Sequence, residues 1–235
     1  MTNTAVNVYL DIETGPLPEE QLLKLMKPFD PESVKVGNIK DPAKIAAKLA
    51  DAESKQKESF IRAAALHPMR GEVLLIGLLV CKGHEGGAYE SIGNDDGEAF
   101  MLTSFWNKIR QLQAGGTQES IQIVGWNIFE FDLPFLYTRS WKHDVRPPLG
   151  LATQKPGSDR VYWNGCIDLI FRWRYGVHRE SRGSLGQVSE FLGIGSKGGS
   201  GADFHKLWAT DRSAAIAYAH NDLDLTRKLD LRLTL

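Results

Sequence analysis

The chain has 235 residues, with 28 basic and 29 acidic side chains and a formal net charge of −1. A hydrophobic content of 42 % beside 24 % charged residues excludes a disordered chain, and the near-zero charge excludes a uniformly basic nucleic-acid coat while leaving room for a local basic groove. Cys81 and Cys166 stand far apart and form no CxxC, which excludes a disulfide framework or a zinc ribbon. The longest apolar run, Val73 to Cys81, is nine residues, against the roughly 18 that a membrane span needs. No basic region precedes the first apolar stretch, so no secretory signal is expected. A soluble, cytoplasmic protein without a membrane partner is the expectation.

Residues 6–12 read as a strand. Val6, Val8, Leu10 and Ile12 alternate with Asn7 and Asp11, so period two sends Asp11 and Glu13 to the same face, about 7 Å apart along the strand. Residues 19–70 carry no β-rich run. Asp41-Pro42 has the form of a helix cap with proline in the first turn, and a helix is predicted from about 42 to 66, inside a helical insertion lying on the main domain. Val73–Lys82 is a buried strand, Gly83–Gly87 a turn, and Ala88–Ile92 its antiparallel partner. An amphipathic helix with Phe100, Phe105, Trp106 and Ile109 inside follows Asp95-Asp96 and closes at Gly115-Gly116. Ile121–Gly125 is a short buried strand, 132–142 a helix with Pro134 in its first turn, Val161–Leu169 a strand, Ser184–Leu192 a short helix, and Asp211 caps a final helix to about Leu233. Strands alternating with helices, with one hairpin, predict an α/β domain built on a mixed sheet.

Three groups of carboxylates stand out. Two carboxylates on one strand face, Asp11 and Glu13, repel each other and lose hydration as a sheet packs, a conflict that a hard divalent cation resolves. Taken alone, the pair is more often a solvated strand edge. In Gly125-Trp126-Asn127-Ile128-Phe129-Glu130-Phe131-Asp132-Leu133-Pro134-Phe135-Leu136, a buried strand runs into a helix start, where α/β sheets place ligand sites. Asp132 there is also an ordinary helix-start carboxylate, and Phe129, Phe131 and Phe135 read as core before they read as a stacking platform. In Tyr218-Ala-His-Asn-Asp222 the phenol and the carboxylate share a helix face. A core tyrosine is the simpler reading of Tyr218 alone, and Asp224 and Asp230 read as solvated charges.

Together, Asp11-x-Glu13, Asn127-x-x-x-Phe131-Asp132 and Tyr218-x-x-x-Asp222 resemble the three motifs of the DEDD 3′–5′ exonucleases, and the second is similar to that of the proofreading domain of family B DNA polymerases. The resemblance runs from about residue 5 to 230 and leaves 19–70 unexplained. Ala217 stands where one branch of the family has a catalytic histidine, and His220 is out of register, so the sequence looks like the tyrosine branch. The resemblance implies a ribonuclease-H-like fold, a five-stranded mixed sheet flanked by helices, in a single exonuclease-like domain. It implies two Mg²⁺ or Mn²⁺ ions on Asp11, Glu13, Asp132 and Asp222, Tyr218 orienting the attacking water, and release of nucleoside 5′-monophosphates from a 3′ end. It also implies terminal-nucleotide contacts from Thr14, a wedge at Leu17 and a sugar or water contact from Asn127. Without a polymerase domain, a stand-alone nuclease or a subunit acting in trans is expected. The expected substrate is single-stranded DNA ahead of RNA. A ribonuclease D-like exoribonuclease and an inactive nucleic-acid-binding module are the alternatives.

The charge is unevenly spread. Residues 1–138 carry 13 basic and 19 acidic groups, and residues 139–182 carry 9 basic and 4 acidic. Within the basic stretch Arg160, Arg172, Arg174, Arg179 and Arg182 interleave with Tyr162, Trp163, Trp173 and Tyr175, a composition suited to phosphate contact and base stacking. Arg172 and Arg174 are the candidate phosphate ligands, against the plainer reading of a solvated face. Asp168 is equally an extra acidic site residue or a capping carboxylate. The glycine-rich stretch 193–201 fails the phosphate-loop pattern and follows a helix. It reads as a mobile loop near the substrate, with Lys197 on a phosphate.

Overall fold

The computed structural model describes residues 6–83, 85–114, 121–154, 161–175, 183–199 and 201–234. The chain divides into two compact units, Met1–Thr14 with Val73–Leu235, and Gly15–Glu72. In the second unit, helix α1 (Glu19–Leu25) and helix α2 (Pro42–Ala64) enclose a small apolar cluster of Leu17, Leu22 and Ala64. Asp41 caps α2 by accepting from the Ala43 N–H at 2.9 Å, as the Asp-Pro pair predicts.

The first unit is built on a five-stranded sheet of order β3-β2-β1-β4-β7. Its strands are β1 (Val6–Pro16), β2 (Gly71–Lys82), β3 (Glu85–Gly93), β4 (Ile121–Gly125) and β7 (Cys166–Asp168). β1 pairs parallel with β4, β4 parallel with β7, and β2 antiparallel with β3, so the sheet is mixed as expected. β1 is central and buried on both faces. Its even side chains Val8, Leu10 and Ile12 join the core formed by α3 (Glu98–Ala114) and α4 (Asp132–Lys142). Its odd residue Tyr9 packs instead into the cluster containing Val188 of α6 (Leu185–Phe191) and Leu223, Leu225 and Leu229 of α8 (Arg212–Thr234). The two-residue period of β1 therefore assigns each face of the sheet to a different helical layer, and Asp11 and Glu13 go with α8.

Several boundaries differ from those predicted. The Val161–Leu169 stretch is not one strand: β6 (Val161–Trp163) pairs with β5 (Ala152–Gln154) in a separate hairpin, the chain turns at Asn164-Gly165, and Cys166–Asp168 returns as the sheet edge. Gly165 has φ 67°, a conformation that breaks a continuous strand. β3 begins three residues before Ala88. In α3, Phe100 is 59 % exposed and Met101 and Leu102 are buried in its place. Positions 101, 102, 105, 106 and 109 follow the helical repeat, whereas 100 falls outside it. Helices α1, α5 (Leu169–Arg174) and α7 (Phe204–Thr210) are short additions to the predicted set. The Gly115-Gly116 helix end lies outside the described residues. No helix among the described residues is long and apolar enough to cross a membrane.

One polar cluster ties α3 to α4. Glu98, 7 % exposed, receives Arg139 Nε at 2.8 Å on Oε1 and Arg139 Nη2 at 2.5 Å on Oε2. The Val73 N–H donates to Oε1 at 2.9 Å, and His143 Nε2 lies 2.8 Å from Oε2. Burial alone would raise the Glu98 carboxyl, but the Arg139 fork and the Val73 amide hold it below its ordinary range. Replacing Arg139 with Met strands a buried carboxylate, which is expected to cost about 3–5 kcal/mol in urea unfolding. A loss under about 1 kcal/mol, the size of a surface ion pair, would show the cluster to be ornamental.

Candidate metal and nuclease site

Asp11 and Glu13 leave β1 on the face covered by α8, and Asp222 comes down from that helix to meet them. Ligand oxygens of Asp11, Glu13 and Asp222 all lie within 4.8 Å of one another. Asp222 is 1 % exposed and Glu13 6 %. Burial raises all of their carboxyls above the ordinary range, and like charge adds to it: Asp222 acts on Asp11, and Asp11 on Glu13. The Asp11 carboxyl is pushed up to about 7.

Asp132 opens α4 beside this trio rather than inside it. Its Oδ1 accepts the Ile12 N–H at 2.9 Å, which fixes the carboxylate against the backbone between Asp11 and Glu13. Burial, then the Asp11 charge, raises its carboxyl well above the usual range. The Asp132 charge bears on Glu13 as well, so Asp132 is electrostatically tied to the β1 pair. Pro134 sits at the third position of α4, where its missing N–H leaves no intrahelical bond unmade. Asp168 proves to be structural. Its Oδ1 accepts from Asn127 N at 2.8 Å and Ile170 N at 3.1 Å, and Oδ2 from Phe129 N at 3.0 Å. One carboxylate therefore caps α5 and anchors the 127–131 loop that delivers Asp132. Asn127 takes a left-handed φ of 63°, and its buried side-chain Oδ1 accepts no hydrogen bond among the described residues.

Tyr218 lies one turn before Asp222 on α8, its ring 5.9 Å from that of Phe204. Burial raises the phenol well above its ordinary value, so it stays protonated. The hydroxyl faces Lys197 and Asp222, with well-formed hydrogen-bond geometry to neither. The glycine-rich stretch reaches this side of the site, as expected of it: a side chain at Gly199 would sit 3.3 Å from the Tyr218 ring, and one at Gly201 3.9 Å from both Tyr218 Oη and Glu13 Oε2. Lys197, however, meets a carboxylate. Its Nζ is 2.5 Å from Asp222 Oδ2 and 5.1 Å from the Tyr218 ring centre.

Other expected contacts fall differently. Thr14 follows Glu13 on β1 and is buried. Leu17, 7 % exposed, is spent in the core of the Gly15–Glu72 unit, which argues against a projecting wedge. Arg172 is not a free phosphate ligand, because its Nη1 lies 2.6 Å from Asp230 Oδ1. Asp230 is correspondingly not a solvated charge: it is buried and also accepts the Tyr9 hydroxyl at 3.0 Å. Arg174 lies 5.8 Å over the Phe171 ring. Arg160, Arg179 and Arg182 lie outside the described residues. His220 stacks on Tyr89 at 4.5 Å and sits 2.9 Å from Ser91 Oγ, which engages it with β3. Trp163 does meet an aromatic surface. With Phe129, Tyr137, Trp141, Tyr162 and Phe171 it lines a cleft of about 800 Å³, and Trp141 is 66 % exposed there. Trp141 and Phe171 were not singled out from sequence. An exposed tryptophan two turns into an otherwise amphipathic helix was the available signal.

No protein-family model matches the sequence, and no curated protein matches it. Solved structures do. A family B DNA polymerase from the hyperthermophilic archaeon Pyrobaculum calidifontis superposes with a TM-score of 0.60 at 14 % identity, over 98 % of this chain and 24 % of the polymerase. A product-bound exonuclease I superposes with a TM-score of 0.42 at 13 % identity, over 98 % of this chain and 45 % of that one. The fold is ribonuclease-H-like. The chain spans about a quarter of the polymerase it resembles, and identities this low speak for the fold alone.

The donor set fits a hard divalent cation: carboxylate oxygens only, closely spaced, with a buried Asp222 Oδ1 that accepts no well-formed hydrogen bond among the described residues. Without metal, the folded protein holds protons on these groups at pH values where the unfolded chain has lost them. Their stabilisation is present below the ordinary carboxylate range and is lost as pH rises through about 7, the Asp11 value. In EDTA, the melting temperature is therefore expected to fall between pH 5 and pH 8 by about 3 °C or more. Asp11→Asn should flatten that slope, and Mn²⁺ should restore the loss at pH 8. Calorimetry showing a rise across the same interval would contradict this electrostatic picture.

Proposed function

We propose that the chain is a metal-dependent 3′–5′ exonuclease that releases nucleoside 5′-monophosphates from single-stranded nucleic acid, with DNA as the leading substrate. The observation that carries this reading is the convergence of Asp11, Glu13 and Asp222 within 4.8 Å, with Tyr218 one helical turn away. Asp11, Glu13, Asp132 and Asp222 would hold two divalent ions between them. When bound, such an ion pair activates water and stabilises the leaving 3′-oxygen.

The remaining work falls to the chain's own groups. The Tyr218 hydroxyl, held protonated by burial, offers a hydrogen bond that orients the attacking water. Asn127, on a loop fixed by Asp168, is the proposed donor to the terminal sugar or to the attacking water. The Phe129–Trp163–Trp141 cleft, joined to Asp132 through residues 129–132, supplies aromatic faces on which upstream unpaired bases stack. Arg174 stands beside that cleft on Phe171.

The test is hydrolysis of single-stranded DNA and RNA labelled at either end, with Mg²⁺ or Mn²⁺. Label should leave the 3′ end first, as a 5′-mononucleotide. Asp11→Ala should abolish turnover. Tyr218→Phe should keep metal binding but lower the rate by roughly 10²-fold or more. Activity that survives Asp11→Ala, or products released from the 5′ end, would overturn the proposal. A Trp141→Ala enzyme should bind oligonucleotides more weakly while cleaving at an unchanged rate at saturation, a split that a purely structural tryptophan would not give.

A further inference from the structure

The carboxylate trio already has a cation in contact with it, and that cation belongs to the chain. Lys197 Nζ lies 2.5 Å from Asp222 Oδ2, and its charge also bears on Asp11 and Glu13, lowering all three carboxyls against burial. The lysine is built into place. Its stem passes over Gly186 of α6, where any side chain would come within 3.1 Å of the Lys197 Cβ. The next residue back, Ser196, accepts the Asn221 side-chain amide at 3.3 Å on its carbonyl, one position before Asp222. The segment around it, Gly193 to Gly199, holds four glycines in seven residues, with left-handed φ at Gly193 (66°) and Gly195 (146°). Such backbone has low resistance to rearrangement. A divalent ion on Asp11, Glu13 and Asp222 would place two positive charges next to an ammonium a few ångströms away, in a site where such repulsion is weakly screened.

We propose, building on the metal-site reading above, that Lys197 is the built-in counter-ion of this carboxylate cluster and that a divalent cation must displace it. Metal entry and release of the 193–199 segment from Asp222 are then one event. The lysine preserves the acidic site when metal is absent, and in doing so it sets the metal affinity. Once displaced, its ammonium is left at the mouth of the site, where the substrate phosphate arrives. Lys197 is a positioning and affinity-setting residue in this scheme and takes no part in bond breaking.

Two measurements with Mn²⁺ alone, without nucleic acid, test it. In the first, free Mn²⁺ is counted by electron paramagnetic resonance at pH 8. Lys197→Met should bind roughly tenfold more tightly than wild type, since nothing has to be displaced, and its metal-free form should melt at lower temperature. In the second, which needs no variant, amide exchange of residues 193–199 in the wild type should speed up on adding Mn²⁺. Equal or weaker Mn²⁺ binding by Lys197→Met would overturn the proposal, and so would greater protection of 193–199 with metal. Mn²⁺ binding to neither protein would remove the metal site itself, and the proposal with it. Tight, Lys197-dependent Mn²⁺ binding without any nuclease activity would sustain the exchange while sinking the exonuclease reading.

Discussion

Like charge brought together out of water is the constraint around which this molecule is arranged. Three carboxylates whose oxygens lie within 4.8 Å, two of them nearly inaccessible to solvent, cannot all ionise without a cation. The positions of the surrounding elements follow from delivering these groups. The period of β1 sends Asp11 and Glu13 to the α8 side, parallel pairing of β1 with β4 brings the 125–132 turn to the same end of the sheet, and α8 lowers Asp222 onto the pair. Even Asp168 belongs to this logic. It spends both oxygens on backbone amides so that a strained loop, with Asn127 in a left-handed conformation, holds Asp132 against the Ile12 amide.

The same domain contains a second buried carboxylate, and the contrast is instructive. Glu98 receives a two-pronged Arg139 contact, a backbone amide and a histidine, and its carboxyl falls below the ordinary range despite burial. At the Asp11 site the shifts run the other way, because burial is not outweighed by donors and neighbouring carboxylates add to it. One centre is closed, with its hydrogen bonds satisfied by the protein. The other is under-compensated by donors among the described residues, with Lys197 in contact, and a centre of that kind suits an external cation.

Much of this was legible in the sequence, for identifiable reasons. Alternation in β1, the Asp-Pro and Asp211 helix caps, and the i, i+4 relation of Tyr218 to Asp222 are local signals, and each survives into the structure with its residues in the expected places. What failed to show was non-local. Nothing near Arg172 announces that Asp230, 58 residues later, will hold it. Nothing near Glu98 announces Arg139. The division of Val161–Leu169 depends on whether a β-rich stretch pairs with β5 or with β4, and a window of sequence contains neither partner. A lysine in a glycine-rich loop suggests an anion, and a phosphate is the anion that sequence alone brings to mind for Lys197. That the anion in contact is Asp222 is a tertiary fact.

The net charge of −1 conceals this division of labour. A strand carrying one negative charge per phosphate would be repelled by an uncompensated cluster of carboxylates, so the acidity that would bind a metal also works against the proposed substrate. In the proposed scheme, divalent cations would remove that conflict locally. The ordering matters. With metal absent, the site offers an ion pair to nothing outside the protein. In the proposed scheme, metal would turn the same carboxylates into the anchor of a positive centre, and the aromatic cleft would offer faces on which bases stack without regard to sequence. Affinity for the proposed strand would then be conditional on the ion, which is the physical form that cofactor dependence takes in a site of this composition.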